Sequence, residues 1–290
     1  FIAITFLLLI TFGMIGCGKN QVLKKENVNE TNQEQATENK ETAEEQQENT
    51  NNDTEEQSQS QIDYINIAPE EVKIPILMYH SISDEDPSNN LLVPPAMFEE
   101  QMAWLEANNF TAMNMDEALE AMRTGKVPKR PVVITFDDGY ANNYTSAFPS
   151  LKNHKLKATF FVITDGVDNG YYMSSDNLKE MQEAGMSIEN HTANHLELNN
   201  LSKTDAYESI KRAQDYLRNV IGSDGNYLCY PVGKYNDETI QIEEELGIKA
   251  AVTTQGGFAS INDGLHTLKR VRISPMSIEG FASIFSEYIN

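Results

Sequence analysis

The chain has 290 residues, with 44 acidic against 22 basic side chains, a formal net charge of −22 and two cysteines. That balance argues against nucleic acid as a ligand, since such binding is carried by Lys and Arg on phosphates. Two cysteines cannot supply a disulfide framework, so stability has to come from a core.

The first element is an uncharged apolar run, Phe1 to Gly16, that stops at Cys17. It is short for a membrane-spanning helix, which needs about 20 apolar residues, and suits the core of a signal peptide without its basic start. Met14-Ile15-Gly16-Cys17 resembles a bacterial lipobox with Met in place of Leu. The resemblance implies cleavage before Cys17, lipidation of that cysteine and an extracytoplasmic, membrane-anchored chain; an uncleaved membrane anchor is the alternative. From residue 18 to 72 the sequence is dominated by Glu, Gln, Asn and Thr, with four lysines against fourteen acids. Such a segment buries too little apolar surface to offset its ordering entropy and reads as a disordered tether.

From Lys73 to residue 290 the texture changes to short apolar runs alternating with helical patterns, the mark of βα units around a parallel sheet. Strands are predicted at Ile74 to Tyr79, Val132 to Phe136, Ala158 to Ile163, Met186 to Glu189, Tyr227 to Tyr230, Ala250 to Thr254 and Leu268 to Ile273. Helices are predicted at Pro95 to Asn108, Asp116 to Arg123, Asn143 to His154, Asp176 to Ala184, Lys203 to Val220 and Asp237 to Leu246. Seven strands with helices between them predict one α/β domain, a distorted (β/α)7 TIM-like barrel.

Two constellations carry chemistry. Asp137 and Asp138 follow the run Pro131 to Phe136, which delivers both carboxylates to a strand end, where barrel enzymes keep their catalytic groups. His191 and His195 place two imidazoles four positions apart in a chain with only five histidines. A lone His-x-x-x-His pair is usually accidental, and Asp-Asp-Gly alone is usually a turn. Together, two imidazoles and one carboxylate make a three-donor set with an open position, the plan of a catalytic zinc-type site. The other aspartate is then free to act as a base. Adjacent strand residues face opposite ways, so the chain must leave β geometry at Asp137–Asp138, and Gly139 permits that bend.

Thr135-Phe136-Asp137-Asp138-Gly139-Tyr140, His191-Thr192-Ala193-Asn194-His195 and Tyr230-Pro231-Val232-Gly233-Lys234-Tyr235-Asn236 resemble, in order and spacing, the first three motifs of the NodB-type polysaccharide deacetylases, carbohydrate esterase family 4. Pro75 to Ile82, with Met78-Tyr79-His80, and Leu268 to Ile273 are similar to the branch that deacetylates poly-N-acetylglucosamine. The resemblance implies the NodB-homology barrel and hydrolysis of the acetamide of N-acetylglucosamine units in peptidoglycan or poly-N-acetylglucosamine. It implies a divalent metal held by Asp138, His191 and His195, with zinc first and cobalt, manganese or nickel able to use the same donors. It implies Asp137 as general base and the backbone N–H of Val232 as an oxyanion donor.

The sequence departs from the common family pattern twice. The only late histidine, His266, lies in a turn-like Asn-Asp-Gly-Leu-His-Thr context, so the general acid is expected at His80, at the end of the first strand. Cys229 stands where many members carry an arginine that pairs with the base, and Arg270 is expected to supply that contact from another strand. Cys229 itself is expected to be a buried small hydrophobe, and His154 a surface residue. Of Tyr140, Tyr171, Tyr172 and Tyr235, all on predicted loops, Tyr140 and Tyr235 are the candidate substrate-binding residues, with Pro231 of the third motif. The expected partners are a glycan and, through Cys17, a membrane; a monomer is expected. The alternatives are a wall-binding lipoprotein that keeps the fold without turnover, favoured by Cys229 and the displaced acid, and an O-acetyl esterase or glycosidase.

Overall fold

The computed structural model describes residues 62–289. The leader expected over 1–17, with Cys17, and residues 18–61 of the expected tether lie outside the described residues. Residues 62–72 correct the boundary drawn at 73. Tyr64–Asn66 pairs antiparallel with Lys126–Pro128, and Val72 is buried against the core. Glu70 and Glu71 mask this in the sequence because they sit on a short exposed turn.

Seven strands form the barrel: β1 (Ile76–Tyr79), β2 (Pro131–Phe136), β3 (Thr159–Val162), β4 (Ser187–Asn190), β5 (Tyr227–Cys229), β6 (Ala250–Gly256) and β7 (Leu268–Arg272). Each pairs in parallel with its neighbours in chain order, and the ring closes where β7 pairs with β1. The (β/α)7 expectation therefore holds. β1 and β2 are buried on both faces, as a parallel sheet wrapped by helices requires. A short strand, Thr111–Met113, was not visible in the sequence; it lies along the first half of β2.

The helices are α1 (Pro95–Ala107), α2 (Met115–Thr124), α3 (Phe148–Asn153), α4 (Ser175–Glu183), α5 (Lys203–Tyr216), α6 (Asp237–Leu246) and α7 (Ile278–Ile284). Side chains of Asn114, Ser174, Ser202, Asn236 and Ser277 cap the starts of α2, α4, α5, α6 and α7, satisfying amides the helix leaves unpaired. The expected helix 143–154 begins as a π turn, Asn143–Ala147. The expected helix 203–220 ends in another, Leu217–Ile221, stopped by Gly222 in the left-handed region. Too short to show a period, α7 escapes detection in the sequence; its Phe281, with the following Phe285, packs on Trp104 of α1.

Alternation along the strands sorts the side chains. Ile76, Val133, Phe161, Tyr227, Cys229, Val252 and Leu268 share one core cluster. Leu77, Val132, Ile134, Phe136, Phe160, Val162 and Ile188 belong to another, with residues of α1, α3 and α4. The first set fills the barrel and the second lies under the helices. Continuing the inner set by steps of two from Ile76, Val133 and Leu268 reaches His80, Asp137 and Arg270.

Candidate active site

Asp137 and Asp138 leave the end of β2 differently. Asp137 keeps the inward phase of Val133 and Thr135 and is buried. Asp138 is out of phase, and its own backbone makes the turn, with φ of 73°, followed by Gly139 at 83°. The bend expected at Gly139 thus begins one residue earlier, in a conformation that aspartate tolerates better than most residues. It brings the Asp138 carboxylate to His191 and His195 and leaves that of Asp137 beside His80.

His191 continues the inward phase of β4, and a loop returns His195 to it through left-handed residues Thr192 (φ 63°) and His195 (φ 55°). The pair is therefore on a loop, tied down by its own polar side chains. Thr192 N–H donates to Asn190 Oδ1 (2.7 Å), His195 N–H donates to Thr192 Oγ1 (3.0 Å), and Asn190 Nδ2 donates to the Ile210 carbonyl of α5 (3.0 Å).

The Nε2 atoms of His191 and His195 lie 3.2 and 3.3 Å from Asp138 Oδ1, and the three donor atoms fall within 4.8 Å of one another. His191 Nδ1 is 2.7 Å from the Cys229 carbonyl. A carbonyl only accepts, so Nδ1 carries a proton, which leaves Nε2, facing Asp138, as the ring nitrogen that would bind a metal. The donor set fits a divalent ion. A second group, Asp137, His191 and Cys229, is equally close-knit, but its carboxylate and sulfur are already engaged by Arg270. Burial also raises the Cys229 thiol, keeping it protonated.

Arg270 is fully buried, and its five N–H groups find five acceptors. Nε donates to the Thr253 carbonyl (2.9 Å). Nη1 donates to Thr135 Oγ1 (3.1 Å) and Asp137 Oδ1 (2.7 Å), and Nη2 to Asp137 Oδ2 (2.7 Å) and Cys229 Sγ (3.2 Å). Burial opposes ionisation of Asp137, but the guanidinium overrides it and holds the carboxyl well below the usual range. Cys229 is more than the filler expected: its sulfur and its carbonyl hold Arg270 and His191 respectively.

His80 Nε2 sits 3.9 Å from Asp137 Oδ2. Burial lowers its proton affinity, and the charge of Asp137 partly restores it. Behind it, Asn142 Oδ1 accepts from the Ile82 N–H and Asn142 Nδ2 donates to Ser81 Oγ, fixing the loop after β1 to the loop after β2. His266 lies outside this group: its Nδ1 bonds Glu243 Oε2 at 2.6 Å. His154 is half-buried instead of free at the surface, held between Glu99 and Glu106.

On the third motif, Val232 is half-exposed, with φ of 48° and ψ of 18°, a costly conformation for a β-branched residue. Gly233 (φ 72°) packs so close that an added Cβ would lie 2.1 Å from Thr254 Oγ1. Tyr230 before Pro231 stacks on Tyr235 (4.6 Å between centroids, 17° between planes) and donates to the His266 carbonyl (2.9 Å). Tyr140 is kept protonated by burial and by the neighbouring Asp138 carboxylate. Tyr171 and Tyr172, set aside in the sequence reading, join it: ring centroids lie 5.5 and 5.6 Å from that of Tyr140.

Residues 124–251 match the family described as polysaccharide deacetylase. The YxkH protein of Bacillus subtilis is 40% identical over 218 residues, covering 75% of this chain and 76% of that one. The chain belongs to the polysaccharide deacetylase family. Streptococcus pyogenes deacetylase PplD, solved in complex with acetate, superimposes on this deacetylase with a TM-score of 0.72 at 36% identity, covering 74% of this chain and 99% of PplD. The poly-β-1,6-N-acetyl-D-glucosamine N-deacetylase of Staphylococcus epidermidis is 28% identical over 230 residues, 70% of this chain and 80% of that protein. The NodB-type fold and family implied by the motifs are thereby established. The matched segment 124–251 excludes His80 and Arg270, which come to the deacetylase site from the first and last barrel strands.

Proposed function

We propose that this deacetylase hydrolyses the N-acetyl group of N-acetylglucosamine units in a cell-wall or extracellular glycan, using a divalent metal held by Asp138, His191 and His195. One observation carries the reading: three metal-donor side chains converge beside a carboxylate, Asp137, that is kept ionised and oriented by a buried arginine. A divalent ion there supplies Lewis-acid polarisation of the acetamide oxygen and a lower pKa for water.

The protein groups divide the remaining work. Arg270 occupies one acceptor direction on each Asp137 oxygen, leaving others free, so Asp137 can take the proton of the attacking water. The Val232 N–H, on its strained half-exposed turn, donates to the oxyanion of the tetrahedral intermediate. His80 gives its proton to the nitrogen as the C–N bond breaks, so acetate leaves and a free amine remains. His266 is held by Glu243, which is why the acid is assigned to His80. Tyr140 and Tyr235 are assigned to substrate binding, with the buried Pro231 holding the third-motif turn. The acetate in the PplD structure supports the reading, being the product of such a reaction. Anchoring of the domain outside the membrane through lipidated Cys17 belongs to the same proposal.

Acetate release from N-acetylglucosamine oligomers, with and without chelator, tests it beside Asp137→Asn. Release that neither the chelator nor this substitution diminishes would overturn the assignment. Mass analysis of the products distinguishes acetate loss from glycosidic cleavage.

A further inference from the structure

Strands β4 and β5 meet over a single matched pair, Asn190 with Leu228, whereas every other adjacent pair of barrel strands matches at least two. On the other side of β5, Tyr230 N–H donates to the Val252 carbonyl and Lys249 N–H to the Asn226 carbonyl (3.3 and 2.8 Å). Alternate residues of β5 thus turn to β6, and the backbone groups of Tyr227 and Cys229 face β4. In a regular parallel ladder the Tyr227 N–H would donate to the Ile188 carbonyl. Side chains take both groups instead. Tyr227 N–H donates to Glu189 Oε2 (3.1 Å), and the Ile188 carbonyl accepts from Ser223 Oγ (2.8 Å). The rung beyond Asn190 is replaced in the same way: the Cys229 carbonyl accepts from His191 Nδ1 (2.7 Å), and Thr192 N–H donates to Asn190 Oδ1 (2.7 Å).

Glu189 is a buried carboxyl with no task in the proposed reaction. It shares the inward phase of Ser187 and His191, and its partner across the sheet is Phe161, one of the residues that fill the barrel. Ser187 Oγ donates to its second oxygen, Oε1 (2.8 Å), so both carboxyl oxygens are engaged and the side chain is fixed. What it fixes in turn is β5. That strand is only three residues long, Tyr227–Cys229. Its first amide rests on Glu189, and its last residue holds the His191 ring through the carbonyl and Arg270 through the sulfur. A buried amide without an acceptor is costly, so loss of the Glu189 oxygen would drive β5 to seek another partner and carry Cys229 with it.

We propose that Glu189 is a positioning residue for the metal donors: its carboxyl replaces a ladder rung between β4 and β5 and so sets where the Cys229 carbonyl meets His191 Nδ1. The inference rests on the reading of His191 as a metal donor, and the state of that ring can be measured apart from metal. Groups that orient a metal-binding imidazole from behind are worth about 10–100-fold in metal affinity. Glu189 acts one step further back, through the strand that carries such a group.

Zinc affinity, read by competition with a chromophoric chelator, and thermal unfolding are compared on the full chain for wild type, Glu189→Met and Glu189→Gln. Met keeps the length and removes the acceptor, whereas Gln keeps an oxygen for the Tyr227 amide. Glu189→Met is expected to bind zinc about tenfold more weakly or worse, and Glu189→Gln to stay close to wild type. Leu178→Ala on α4 is expected to lower Tm without moving zinc affinity. Should Glu189→Met not fold, Ser187→Ala, which frees the Glu189 carboxyl, is expected to weaken zinc several-fold. Wild-type affinity in Glu189→Met, or in Ser187→Ala where that replaces it, overturns the proposal, as does a Gln variant as weak as Met. Imidazole proton–nitrogen spectra of the metal-free protein, with His191 assigned from His191→Gln, separate the two readings. A wild type that takes up no zinc, with His191 Nδ1 signals that shift in Glu189→Met, keeps the positioning role and loses the metal. Zinc binding with His191 signals unmoved in that variant does the reverse.

Discussion

Asp137 and Arg270 face each other through two parallel hydrogen bonds of 2.7 Å, from residues 133 positions apart in the chain. The pair is buried on both sides, so its members depend on each other far more than a surface pair would. Arg270→Met is expected to destabilise the fold by about 3–5 kcal/mol, because it strands a buried carboxylate. Arg270→Lys retains charge but has three donors and no planar fork. It is expected to fold and to lose roughly a hundredfold in kcat. Thermal unfolding and acetate release on both variants check this, and a Lys variant with wild-type kcat would contradict it.

Removal of metal is expected to abolish acetate release while leaving the fold intact, since the strands are held by an apolar barrel filling with no metal donor in it. Dialysis against a strong chelator, followed by activity and circular dichroism, measures both. His195→Ala is expected to lower bound metal by at least about tenfold, read by elemental analysis.

His80→Ala is expected to retain metal and to lose about 10²–10⁴ in kcat on amide substrates. An activated acetyl ester, whose leaving group needs no proton, is expected to lose much less. Equal losses on both substrates would assign His80 to positioning instead of proton donation.

His154 bonds Glu106 and Glu99 through opposite ring nitrogens, so both must carry protons. Burial opposes that charge, but the two carboxylates prevail and raise its proton affinity in the folded state. A histidine with a raised folded pKa contributes stability that is complete below its unfolded value, about 6.5. That stability is lost as pH rises through the higher folded value. Thermal unfolding of His154→Gln beside wild type is expected to show a deficit at pH below 6.5 that closes in the alkaline range.

The Tyr230 hydroxyl is fixed by the His266 carbonyl, and Glu243 holds the His266 ring. His266→Ala is therefore expected to loosen the turn that carries Val232. It should lower kcat more than it raises KM, whereas a variant with only a lower Tm and normal kinetics would confine His266 to stability.

The seven barrel strands are legible because each is an apolar run between turn signals, and their inward phase explains why His80, Asp137, His191 and Arg270 could be nominated from motif and strand position. The parts that stayed hidden are those fixed between distant segments. Tyr171 and Tyr172 look like ordinary loop aromatics until Met173 bonds back to Gly139. Cys229 looks like filler because nothing near it in sequence says that an arginine 41 positions on donates to its sulfur. The strand at Tyr64–Asn66 has no period of its own and exists through Lys126–Pro128.

The last barrel strand has a consequence for biogenesis. The candidate metal donors all precede residue 196, but the Cys229 carbonyl that orients His191 comes with β5, and the partner that keeps Asp137 charged comes only with β7. A polypeptide clipped before β7 would therefore keep the donor residues but lack the guanidinium that holds Asp137 ionised, so hydrolytic power depends on the barrel seam between β7 and β1 being shut.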